Sequence, residues 1–177
     1  IDALLQEIPF EAGKLTVVIE DERSRIQVNA LVSPPNGQSY NELQRQLWER
    51  YLDLLIPRHE AFEDLETSTF LDCLKDWMDA KDDDAITGLK GAESDYYENL
   101  DPPSFCRNGP ITHPAELSWI KGVTPALFYG IEDIPGLSQS VTIYGMHPQS
   151  TPSNLLWDCK ININTAPLTV LAVLLPP

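Results

Sequence analysis

The residues best suited to chemistry run Asp76-Trp77-Met78-Asp79-Ala80-Lys81-Asp82-Asp83-Asp84, then Gly88, then Gly91-Ala92-Glu93-Ser94-Asp95-Tyr96-Tyr97. Carboxylates crowded this closely repel one another unless water or a cation lies between them. Ca²⁺ takes about six to eight oxygen ligands and suits a flexible acidic loop. An EF-hand count starting at Asp82 puts Asp82, Asp84 and Glu93 at the first, third and twelfth loop positions. Ile86 then falls at the fifth position, and Thr87 stands where the turn needs glycine, so the segment is not an EF-hand. The competing reading is a solvated acidic loop behind a helix.

Other chemistries have weaker support. There is no GxSxG elbow, and His59 is followed by Glu-Ala-Phe-Glu, so there is no HExxH pair. His59, His113 and His147 are scattered and read as surface or capping residues. Acidic pairs suit hydrolase acid/base work by residue type, as in a secreted glycosidase. In a chain this acidic, however, such pairs arise by chance. No glycine-rich phosphate loop is present. Two fragments, 116–123 and 161–166, have a helix-hairpin-helix flavour of the kind found in nucleic-acid-binding modules. A balance of 27 acidic against 12 basic side chains, net −15, opposes that use. Trp48, Trp77, Trp119, Trp157 and the Tyr96-Tyr97 pair are recognition candidates, although Trp48 and Trp77 at helical spacing read as core.

The elements that must position these residues follow from patterning. A chain of 177 residues, 42% hydrophobic and 22% charged, makes one medium domain or two small ones with a real core. Its 15 prolines cut it into short elements. Ile1, Leu4, Leu5 and Ile8 at helical spacing look like the tail of a longer helix. Alternation of Leu15, Val17 and Ile19, and then of Ile26, Val28 and Ala30, predicts a β-hairpin over 14–32, turning at Asp21–Ser24. Ser39 and Glu42 form a capping-box pattern ahead of Leu43, Leu47, Trp48, Tyr51 and Leu54, and Pro57 ends that helix. A second helix starts near Thr69 and carries Phe70, Leu74, Trp77 and Met78. Pro114 and Thr124-Pro125 begin short helices. Residues 139–144 and 160–163 read as strands, and Thr165-Ala166-Pro167 opens a last helix with Leu168, Leu171 and Leu174 or Leu175. The result is an α+β chain.

Cys73, Cys106 and Cys159 lie far apart without CxxC spacing, which argues against zinc and allows at most one internal disulfide. The longest apolar-leaning stretch, 166–177, is short of the roughly 20 residues a membrane span needs. No Lys/Arg-led leader opens the stretch given.

Taken in order, four segments resemble the general secretion pathway protein K family, the large minor pseudopilins of bacterial type II secretion systems. They are residues 19–31 (IEDERSRIQVNAL); Asp76-Trp77-Met78-Asp79 with Gly91-Ala92-Glu93 and Tyr97; Glu116-Leu117 with Gly122; and Ile161-Asn162-Ile163-Asn164-Thr165-Ala166 with Leu171. The resemblance implies an α+β fold with a pseudopilin-like core, an N-terminal helix on a small antiparallel sheet, and a large, mostly helical inserted domain. On that scheme residues 1–32 are the helix tail and hairpin. Residues 33–160 are the insert with its acidic metal-binding loop, and 161–177 begin a further, incomplete segment.

The family's role is structural rather than enzymatic. It sits at the tip of a periplasmic pseudopilus with minor pseudopilins I and J, and it is anchored in the inner membrane before assembly by a helix that would lie upstream of Ile1. The inserted domain is associated with calcium. Carried onto matching positions, that implies Asp79 and Glu93 as ligands, with Asp82, Asp84 and Asp95 as further donors. Lys81 stands where the family pattern has an acid, so Asp82 takes over that role or one ligand is lost. The family also continues past Asn164-Thr165-Ala166 through more helix and the closing strands. An oxidising periplasm would permit one disulfide, with Cys106–Cys159 and Cys73–Cys106 both open.

Overall fold

A computed structural model of the chain describes residues 6–10, 13–80 and 86–175. The architecture is α+β. Strands β1 (Gln6–Phe10) and β2 (Gly13–Val17) form an antiparallel hairpin, with Gln6 opposite Val17 and Phe10 opposite Gly13. This corrects the predicted hairpin over 14–32. It also ends the predicted N-terminal helix before residue 6, and the remaining part of that helix, residues 1–5, lies outside the described residues.

Residues 18–31 take another course. A single 3₁₀ turn at Glu22–Ser24 is capped by Asp21, whose side chain accepts the Arg23 amide. The two-residue strand β3 (Ile26–Gln27) follows, and then a second 3₁₀ turn, Val28–Leu31, in which all four residues are buried.

Two amphipathic helices make the body. Helix α1 (Glu42–Leu55) buries Leu47, Trp48, Tyr51, Leu52 and Leu55, spaced so that they share one face. Helix α2 (Thr67–Met78) buries Phe70, Leu71, Leu74, Trp77 and Met78. Trp48 meets Phe70 across the interface with ring centroids 6.0 Å apart, and both tryptophans are at most 1% exposed. The Ser39–Glu42 capping box does not form. Asn41 is the N-cap, because the Ser39 carbonyl accepts the Ser33 amide at 2.8 Å and Tyr40 bridges Val32 in extended conformation.

Short elements complete the fold: α3 (Ser94–Glu98), a 3₁₀ helix at Pro114–Trp119 and α4 (Pro125–Tyr129). They are followed by β4 (Gly130–Ile131), β5 (Ile134–Pro135), α5 (Leu137–Ser140), β6 (Val141–Thr142) and α6 (Leu168–Leu174). Strands β4 and β5 pair antiparallel, whereas β3 pairs parallel with β6. The predicted strand at 139–144 is therefore only two residues long and is entered from a helical turn. The one predicted at 160–163 is irregular, because the Asn162 amide goes to the Arg23 carbonyl at 2.8 Å. In α6 the buried residues are Val170 and Val173, while Leu168 faces outward. No helix among the described residues is long and apolar enough to cross a membrane.

Candidate metal centre

The C-terminal end of α2 carries the site. Asp76 stands in its last turn and Asp79, three residues on, is its C-cap, with the amide still bonded to the Lys75 carbonyl. The chain returns through residues 86–92 and delivers Glu93 as the residue before α3. Carboxylate oxygens of Asp76, Asp79 and Glu93 all lie within 4.8 Å of one another, and all three residues are buried. Two oxygens on one Ca²⁺, each about 2.3–2.6 Å from it, can stand up to about 5 Å apart, so the spacing fits that ion.

The polypeptide around these acids is tightly specified. Asp76, fully buried, accepts the Thr87 amide with both oxygens, at 3.0 and 3.1 Å, and the Ala92 amide at 2.9 Å. Burial pushes its carboxyl above the usual range, while the bonds from Thr87 and the nearby Lys75 charge pull the other way. Lys75, also buried, extends its ammonium to Asp79 Oδ2 at 3.2 Å and to Thr87 Oγ1 at 2.8 Å.

Two glycines let the strap pass. Gly88 sits at φ +63°, and a Cβ there would come within 2.1 Å of Asp72 Oδ2. A Cβ on Gly91 would come within 2.1 Å of Asp76 Oδ2. The Lys121 ammonium closes the far side by donating to the Lys90 and Gly91 carbonyls. Trp77, next to Asp76 on α2, and Tyr97 on α3 stack edge-to-face at 4.9 Å.

The structure brings together Asp79 and Glu93 of the predicted donors. Asp95 is exposed in the first turn of α3, outside the buried group. Asp82 and Asp84 lie outside the described residues. Sequence reasoning left out Asp76 and Lys75. The signal for Asp76 was present, since an acid three residues before Asp79 in a helix must share its face. Lys75 gave no such signal, because a lysine on a helix reads by default as solvated.

All three thiols are free. Cys73 donates to the Lys90 carbonyl, Cys106 to that of Asp76 and Cys159 to that of Trp157. Burial raises Cys73 to about 11 and Cys106 to about 12, so both are inert thiols at neutral pH.

A second polar junction ties the front of the chain to its end. Asp21 accepts from the Asn162 side-chain amide at 2.8 Å and from the Thr165 hydroxyl at 2.7 Å, and Arg23 pairs with Asp158 at 2.9 Å.

A family model described as type II secretion system (T2SS), protein K, matches residues 24–133. The chain belongs to that family. The matched range contains Asp76, Asp79, Glu93 and the Glu116 capping box. The "Type II secretion system protein K" of Aeromonas hydrophila is 31% identical over 121 residues, which are 68% of this chain and 36% of that protein. The chain also superposes on one from the crystal structure of the GspK-GspI-GspJ complex of the enterotoxigenic Escherichia coli Type 2 Secretion System. There the TM-score is 0.67 at 19% identity, covering 96% of this chain and 53% of that one. The chain thus spans well under two thirds of the length of either relative.

Proposed function

We propose that this chain is part of a minor pseudopilin at the tip of a type II secretion pseudopilus. There it would initiate or cap the filament, work in the periplasm and be held to the inner membrane before assembly. Membership of the protein K family carries this reading, and the fold shared with a chain of the GspK-GspI-GspJ complex supports it. Partners on this reading are pseudopilins I and J of the same system. Residues 33–160 form the bulky insert, 1–32 belong to the pseudopilin core, and 161–177 begin the segment that follows. A large body at one end of a subunit leaves only the opposite end to accept the next, and so it caps. The role is structural, with no substrate turned over.

Mixing the protein with I and J of its own system should give a three-component complex by size exclusion with light scattering. Three separate peaks would sink the reading. In cells, removing residues 33–160 should abolish tip placement while leaving membrane insertion intact.

The acidic centre in this proposal is a structural Ca²⁺ site. Asp79 and Glu93 hold the ion together with Asp76, and Asp82, Asp84 and Asp95 are the further oxygen donors this reading calls on. When bound, the ion supplies charge neutralisation between the end of α2 and the start of α3. Asp76 keeps the 87–92 segment in register through its amide bonds, and the Trp77–Tyr97 contact ties α2 to α3. Titrating chelator-stripped protein with Ca²⁺ should release heat and raise the melting temperature. Asp79→Ala/Glu93→Ala should remove both effects. A flat titration of the wild-type chain would count against the site.

A further inference from the structure

We infer that Lys75 is a resident countercharge of the carboxylate centre, helping to hold it together without metal and setting how tightly a divalent cation is taken. This rests on the metal reading above and goes beyond it. Three buried carboxylates within 4.8 Å of one another repel strongly unless a cation compensates them. The Lys75 ammonium is such a cation, buried with them and 3.2 Å from Asp79 Oδ2. A lysine is rarely buried to this extent without a partner that repays its desolvation.

The geometry also gives Lys75 somewhere to go. Its second acceptor, Thr87 Oγ1 at 2.8 Å, belongs to the residue whose amide Asp76 already fixes. The ammonium can therefore release the Asp79 oxygen to an arriving ion and keep one hydrogen bond. It then sits close to that ion as a like charge, which weakens binding. Lys75 thus exchanges affinity for stability of the empty site. A chain with a neutral side chain here would bind the ion more tightly and depend on it to fold.

The test uses the whole chain, with Ca²⁺ alone as probe, and compares wild type with Lys75→Met and Lys75→Gln. Calorimetric Kd and melting temperature are read with chelator and with excess Ca²⁺. Both variants should melt lower than wild type in chelator, bind Ca²⁺ at least about tenfold more tightly, and gain more from it in melting temperature. A merely structural lysine would behave oppositely, since its loss would loosen the site and weaken binding. If the variants are unfolded in chelator but fold on adding Ca²⁺, the inference stands. If they stay unfolded in both conditions, or bind no more tightly than wild type, it is overturned while the metal reading survives. Should wild type bind nothing while Lys75→Met binds, the metal reading of the wild-type chain fails and the countercharge role is upheld. Silence in both overturns both.

Discussion

Both oxygens of Asp76 accept amides from the segment that carries Glu93, so the side chain that adds charge to the centre also fixes the distance between its two halves. Gly91 makes that approach feasible by lacking a side chain. Gly91→Ala should push the strap off Asp76 and leave a buried carboxylate short of donors, costing about 1–3 kcal/mol in chemical denaturation. A loss below a few tenths would show that the strap adjusts freely.

Asp21 illustrates a titration at the same scale. Bonds from Thr165, Asn162 and the Arg23 amide hold its carboxyl below the model-peptide value of 3.8. A lowered value means that the ionised form is favoured by folding. Its contribution is therefore present above pH 3.8 and lost as the pH falls through the folded value. The Asn162 side-chain amide resonances should shift across that acid window and stay still in Asp21→Asn. Matching titrations in the two proteins would refute the assignment.

Among elements, the two long helices were legible because their apolar spacing is dense and their partners are each other. Trp48 and Trp77 read correctly as core for the same reason. Residues 26–30 misled because alternation predicts a strand but says nothing of its partner. Ile26 and Gln27 pair with Val141 and Thr142, far along the chain, and Val28–Leu31 coil into a buried turn. The capping-box pattern at Ser39 failed in a similar way, since a non-helical neighbour, Ser33, had already taken the carbonyl that would start the helix.

Of the candidate centre, Asp79 and Glu93 were named through resemblance, while Asp76, which helical spacing offered, was left out. Lys75 was not legible, because burial of a lysine depends on the strap that folds over it. For α6 the leucine spacing gave the inward face only in part, since Leu174 packs on the core but Val170 and Val173, not Leu168, are the buried residues. Val170→Ala should cost about 2 kcal/mol, while Leu168→Ala, at 81% exposed, should stay within about 0.5. Equal losses would restore the leucine face.

At the scale of the molecule, the segment around residues 21–31 links distant parts of the chain, meeting residues 111, 141–142 and 158–165. Asn29 uses its side chain as a strand edge would, accepting the Ile111 amide at 2.7 Å and donating to the Ile111 carbonyl at 3.0 Å. The family resemblance, spread over four separated segments, converges here and at the acidic centre. What it marks is largely buried structure: Ile26, Leu31, Asp76, Trp77, Glu93, Tyr97 and Leu117 are all at most 4% exposed. Asp21→Ala should therefore lower the melting temperature, because the Asn162 and Thr165 side chains lose their shared acceptor. An unchanged melt would show that the junction is ornamental.

That junction also decides where mechanical force travels. Asp21 and Arg23 grip Asn162 and Thr165 near the two ends of the described body, so tension between residue 18 and residue 167 is carried across a few polar bonds. Helices α1 to α5 and the acidic centre lie in the closed loop behind them and are shielded until those bonds part. In a pulling experiment between these points, wild type should show a first, small rupture before the body extends. Asp21→Ala should lower the force of that first event without abolishing it, since the Arg23 contacts with Asn162 and Asp158 remain, which makes the junction a sacrificial link ahead of the core.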